Sequence, residues 1–99
     1  MSNDQLIPAT QFCFHYQVEI SFLHSLRELG LLELTQVQEE EFIVPEQLCH
    51  LEKMIRLHYE LDINPEGIDA ITHMTHRIEA LQQELNVLKN RLRLYEREG

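Results

Sequence analysis

Apolar residues in the C-terminal third recur with a seven-residue period. Ile71, Ile78, Leu85 and Leu92 occupy one position of the repeat, and Met74, Leu81, Leu88 and Tyr95 the other. The intervals between them alternate strictly between three and four, and a stripe with that spacing stays on one side of a helix only if the helix supercoils about a partner. The spacing therefore predicts a coiled coil, with a homodimer as the state that buries the stripe. The same helix folded back on its own domain is the other arrangement the pattern permits. Charged and polar residues flank the stripe, with Arg77, Glu84 and Arg91 on one side and Gln82, Lys89 and Glu96 on the other. Exposed pairs among them contribute only ~0.3–0.5 kcal/mol each, which leaves the direction of the coil open.

Upstream the pattern breaks into shorter pieces. Thr10 is placed to cap a short helix carrying Phe12 and Cys13, the stretch Tyr16-Gln17-Val18 turns, and Ile20, Leu23, Leu26 and Leu29 then recur every three residues. That is helix-turn-helix spacing. Gly30 stands where a left-handed residue ends a helix, and Leu31 to Leu34 with Phe42 to Val44 predict two short strands around Thr35 to Glu41, a hairpin wing. Pro45 suits the first turn of a helix over 45–61, with Leu48, Leu51, Met54, Ile55 and Leu61 on one apolar face and His58 beside it. Asp62 and Ile63 interrupt the pattern. Asn64 as cap, Pro65 at the first helical position and Glu66 near the positive end of the dipole start a long helix that runs to about Arg97. The predicted fold is mainly α: a winged helix-turn-helix body over 1–62, which includes the helix 45–61, and a long C-terminal dimerisation helix over 63–99, one structural domain overall.

With 99 residues, 43% of them hydrophobic and 25% charged, the chain can bury only a small core. Its charge is unevenly distributed. Residues 1–70 hold thirteen carboxylates against three cations, Arg27, Lys53 and Arg56, whereas residues 71–99 hold four carboxylates against five cations, so a body of −10 and a coil of +1 make the net −9. Such a body is repelled by phosphate and anionic lipid and attracts basic protein surfaces over roughly a Debye length, ~8 Å at physiological salt. This argues against nucleic acid as a partner.

No stretch combines a basic start with a long apolar run, and no window approaches ~20 apolar residues, so neither a signal peptide nor a membrane span is expected and the predicted location is cytoplasmic. Cys13 and Cys49 lack C-x-x-C spacing and both read as small buried hydrophobes rather than a disulfide.

Catalytic chemistry finds little support. The chain has three glycines and contains no G-x-S-x-G, Gly-rich phosphate loop or H-E-x-x-H, and Cys13 with His15 lacks an organising third group. His73 and His76 lie one helical turn apart, but of the positions a further turn away only Asp69 could ligate a metal and Ala80 could not, so surface histidines are the better reading. No enzyme activity, cofactor or metal is expected.

The order of elements resembles the winged body and dimerisation helix of MerR-like transcription regulators, carried here by E-I-x-x-L-x-x-L-x-x-L-G-L-L from Glu19 to Leu32 and P-E-Q-L-x-x-L from Pro45 to Leu51. That resemblance implies a helix from Glu19 to Leu29 in a major groove and a wing on phosphates. The chemistry departs from it. The helix sets Arg27 against Glu19 and Glu28, the wing carries Glu39, Glu40 and Glu41, and no Lys or Arg stands between Arg27 and Lys53.

A narrower group fits better. T-Q-F-C-F-H at Thr10 to His15, L-G-L-L-E at Leu29 to Glu33, R-L-H-Y-E-L-D-I-N-P-E-G-I from Arg56 to Ile68 and the leucine-patterned tail are similar to the CbpM family of chaperone modulators. This resemblance implies a bacterial regulator that binds the J-domain of a DnaJ-like co-chaperone, CbpA, and blocks its stimulation of the Hsp70 chaperone DnaK, without catalysis. J-domains present a basic helix, and an acidic module could occupy it. The residues expected to face that helix are Glu19, Glu28, Glu39, Glu40 and Glu41, with Phe42 as apolar anchor. Met54, Phe12, Phe14 and Phe22 read as core by default, with Phe14, Phe22 or Phe42 as the exceptions if the surface carries an exposed anchor. The alternatives are a divergent MerR-like DNA-binding regulator, a purely structural dimerisation module, and an acidic hairpin tip that is merely solvated.

Overall fold

The computed structural model describes residues 5–98; residues 1–4 and Gly99, predicted to belong to the body and the long helix, lie outside the described residues. The chain forms two compact units, Met1–Asp69 and Ala70–Gly99.

The first unit contains the helix-turn-helix. Helix α1 is Ala9–Tyr16 and α2 is Ile20–Glu28. Gln17 between them takes a left-handed conformation (φ 58°), and the Val18 N–H returns to the Cys13 carbonyl at 3.0 Å. Helix α1 begins one residue before the predicted Thr10 cap. The chain enters the helix directly from a strand, β1 (Ile7–Pro8), so Pro8 occupies the capping position, and its ring offers no acceptor for the helix's first N–H groups. Helix α2 ends as Gly30 predicts: Gly30 has φ 79°, and the Leu31 N–H reaches the Leu26 carbonyl at 2.9 Å, a Schellman closure.

The wing differs from its prediction in position. Its strands are β2 (Thr35–Val37) and β3 (Glu40–Ile43), and β1 adds a third, in the antiparallel order β1-β3-β2. Leu31 to Leu34 form no strand. Leu32 is buried there, and the Gln47 side-chain amide clasps the Glu33 backbone, accepting from its N–H and donating to its carbonyl, both at 2.9 Å. A glutamine thus supplies the hydrogen bonds that a ladder would have supplied. The hairpin turns through Gln38 and Glu39, both at positive φ (52° and 66°), the backbone of a tight two-residue hairpin turn. Thr35 opposes Phe42, and Val37 opposes Glu40. Alternation along β3 places Glu41 on the side of the buried Ile43, with Glu40 and Phe42 on the other.

Pro45–Gln47 forms a 3-10 turn that leads into α3 (Leu48–Tyr59). Leu61, predicted on its apolar face, lies beyond the helix end and is 64% exposed. Cys49, predicted buried, is exposed, because it sits on the opposite side of α3 from Leu51 and Met54; Cys13 is buried as predicted, and both thiols are free. Asp62 takes φ 59° and Ile63 packs on the core. Helix α4 (Pro65–Glu98) then begins at the predicted cap, with the Gly67 N–H donating to Asn64 Oδ1 at 2.7 Å.

Leu23, Leu26, Ile43, Leu51, Met54 and Ile68 are the fully buried large side chains of the core. Ile68 stands on the first turn of α4, so that turn belongs to the body. The second unit is the remainder of the helix by itself.

Candidate partner-binding surface

The helix-turn-helix and the wing are joined by one carboxylate. Glu41 accepts from His24 Nε2 at 2.7 Å and from Arg27 Nη1 at 2.8 Å. His24 and Arg27 are three residues apart and share one face of α2, so one wing residue can take both. The hydrogen bond and electrostatic attraction of His24, with those of the Arg27 guanidinium, lower the Glu41 pKa, against a partial burial that raises it. Arg27, the sole Lys or Arg between residues 19 and 52, is thus bound to a carboxylate of its own chain.

The other wing and helix carboxylates have different surroundings. Glu39 lies in the hairpin turn and Glu40 in the exposed start of β3. Glu19 sits at the cap of α2, where its side chain accepts from Ser21 Oγ at 3.4 Å and its backbone N–H donates to the Tyr59 hydroxyl at 3.1 Å. Glu28 is the exposed last residue of α2. Phe42 is half-buried, while Phe22 is in the core. The structure thus gathers Glu39, Glu40 and Phe42 on the wing, commits Glu41 inward, and leaves Glu19 at the opposite end of α2 from Glu28.

Helix α1 carries an aromatic of the opposite kind. Phe14, read from the sequence as core by default, is instead 87% exposed, between the buried Cys13 and the exposed His15, because it falls on the outer side of α1 from Phe12 and Cys13. Nearby, Tyr16 stacks on Phe12 with ring centroids 4.3 Å apart and donates its hydroxyl to Glu52 Oε2 at 2.6 Å, a bond that raises the tyrosine pKa. Burial likewise raises the Cys13 thiol pKa, which keeps the sulfur in its unreactive protonated form.

In the second unit Ile71 is half-buried, and Met74, Ile78, Leu81, Leu85, Leu88, Leu92 and Tyr95 are 50–77% exposed. Val87 and Leu94 are also exposed, off the seam and seven residues apart. Among the described residues no three His, Cys, Asp or Glu side chains are grouped to hold a metal, and no helix is long and apolar enough to cross a membrane.

The family model described as MerR HTH family regulatory protein matches residues 7–90, from β1 into the long helix. The chain belongs to the MerR HTH family. It is similar to the Chaperone modulatory protein CbpM of Escherichia coli O1:K1 / APEC and of Escherichia coli O139:H28 (strain E24377A / ETEC), each 27% identical over 84 residues, covering 84% of this chain and 83% of the relative. No solved structure matches it.

Sequence reasoning missed His24, because a lone histidine on a helix gives no sign of its partner. The i, i+3 spacing of His24 and Arg27 was the available signal.

Proposed function

We propose that this chain is a non-enzymatic chaperone modulator of the cytoplasm, whose acidic body binds the J-domain of a DnaJ-like co-chaperone such as CbpA and prevents it from stimulating DnaK. The observation that carries this reading is the state of Arg27. A groove-reading helix and wing need cations free for phosphate, and here the one Lys or Arg between Glu19 and Glu52 is held by Glu41 at 2.8 Å. What α2 and the wing offer instead is exposed carboxylate, Glu19 and Glu28 at the two ends of α2 and Glu39 and Glu40 on the hairpin, charge suited to a basic helix. The Escherichia coli relatives named Chaperone modulatory protein CbpM support the same direction. The seam from Ile71 to Tyr95 makes the protein a homodimer through α4, and nucleic acid and membranes are not its partners.

The deciding test is calorimetric titration of the full chain with a CbpA J-domain at two salt concentrations, alongside DnaK ATP hydrolysis stimulated by that J-domain. Salt-weakened binding together with loss of stimulation is the expected result. Absence of J-domain binding, with duplex DNA bound on a steep negative salt slope, would return the chain to transcription regulation.

A further inference from the structure

We propose that Phe14 on α1, rather than the wing, is the apolar anchor of the partner interface, and that it seats a cationic amphipathic helix of the J-domain; this rests on the J-domain reading above. Phe14 is the most exposed large hydrophobic side chain among the described residues, at 87%, yet it stands on a helix whose neighbouring Phe12 and Cys13 are buried. An aromatic ring left in water in the middle of a well-packed element marks a contact site. The surface beside it is recessed on both sides. One hollow runs over Cys13, His15, Gln17 and Val18, the other over Ile7, Gln11, Tyr16 and Leu48, and the Phe14 ring borders both. A ridge between two shallow hollows of mixed polar and apolar lining suits side chains one turn apart on an approaching amphipathic helix.

Charge selects the occupant. Neither hollow is lined by Lys or Arg. Glu52 holds the Tyr16 hydroxyl at 2.6 Å at the edge of the second hollow, and the exposed Glu19 is the next residue in the chain after Val18 of the first. Body and surroundings therefore attract a cationic helix and repel phosphate. They also repel a second copy, whose body carries the same thirteen carboxylates against three cations. The wing lacks an equivalent anchor, since Phe42 is half-buried in the sheet between Pro8 and Thr35.

The test titrates a CbpA J-domain into the full-length wild type, Phe14→Ala, and Glu19→Gln with Glu52→Gln, with thermal melting and sedimentation on each. Phe14→Ala should melt as the wild type does, because the ring is in solvent, and should bind about 30-fold more weakly, the size of a single hot spot. The Gln pair should bind with a shallower salt dependence. Binding of Phe14→Ala within threefold of a wild type that does bind overturns the anchor and leaves the function standing. A wild type that fails to bind overturns both. A change in sedimentation on Phe14→Ala makes the ring a contact between copies and overturns the assignment to the partner.

Discussion

The ring of Phe22 on α2 lies against the imidazole of His58 on α3, with centroids 4.4 Å apart and planes 16° from parallel. Each partner is fixed from another side. His58 Nδ1 donates to the Ile63 carbonyl at 2.8 Å, in the turn that leads to α4, and Tyr59 meets both rings edge-on while its hydroxyl accepts from the Glu19 N–H at 3.1 Å. One aromatic group therefore ties the start of α2 to the end of α3 and to the turn behind it. Phe22→Ala removes a buried ring and is expected to cost about 3–5 kcal/mol, a large share of the ~5–15 kcal/mol available to a small domain. Phe22→Leu keeps the volume roughly and should cost about 1–1.5 kcal/mol. Denaturant midpoints at fixed protein concentration check both, and an alanine variant within 1 kcal/mol of the wild type rules out the cluster as a structural tie.

The Glu41 junction should give stability a pH dependence on the acid side. Its carboxyl pKa is lowered in the folded protein, first by the His24 hydrogen bond and then by electrostatic attraction to His24 and to the Arg27 guanidinium. A lowered carboxyl pKa adds stability that is fully present above the unfolded value and is lost as pH falls through the folded value. Glu41→Gln is therefore expected to cost about 0.5–1 kcal/mol at pH 7, since both partners are partly exposed. The gap between variant and wild type should close as pH drops below about 4. Melting curves from pH 7 to pH 3 at one ionic strength measure it. A gap that stays constant down to pH 3 contradicts the assignment.

Much of this architecture was legible because its signals are local or strongly periodic. Gly30 marked the end of α2, Asn64-Pro65 the start of α4, and the alternation from Ile71 to Tyr95 one unbroken helix. The wing was legible as a hairpin but not in register. Its turn at Gln38 and Glu39 uses positive φ without the Gly or Asn that announces such turns, and the apolar run Leu31 to Leu34 reads as a strand although it serves the core. Strand β1 is two residues long, too short for any period, and exists because β3 offers it a partner at Ile43 and Phe42. The candidate surface was hardest, because the exposure of Phe14 and the inward commitment of Glu41 both depend on tertiary neighbours. Phe12 and Phe14 are indistinguishable in sequence, yet only one of them is buried.

The first turn of α4 reverses a common rule for helices. Gly67→Ala in an exposed helix interior ordinarily stabilises by up to about 1 kcal/mol. Here a Cβ at position 67 would stand 2.7 Å from Ile63 Cγ2 and 3.1 Å from Asn64 Oδ1, the atom that caps the helix. Ile63 packs against the core and its β-branched methyl has little freedom to move, so the variant should gain nothing and lose stability. Asn64→Ala alone should cost about 1 kcal/mol through the lost cap. Combined, the two changes should be less than additive, because each disturbs the same Asn64 to Gly67 bond. A double-mutant cycle by chemical denaturation reads the coupling, and strict additivity would show that the Cβ does not reach the cap.

The coil is where stability, assembly and function meet in one experiment. Seven seam side chains from Met74 to Tyr95 are at least half exposed on the single chain, and a helix with one unsatisfied apolar face holds its structure poorly in water without a partner. Leu85→Asp with Leu88→Asp places charge on adjacent seam positions and is expected to give a monomer in sedimentation, with a loss of helical ellipticity from α4 that, unlike the wild type's, does not recover as concentration rises. Val87→Lys is the control. Val87 is equally exposed, at 50% like Leu85, but lies off the seam, so a two-helix coil should keep its assembly and ellipticity. If Val87→Lys dissociates the protein as readily as the seam pair does, the helix is burying a second face, formed with Leu94 seven residues on, and the assembly is larger than a two-stranded coil. If the seam pair changes neither sedimentation nor ellipticity, α4 is held by its own sequence alone and the coiled coil is refuted.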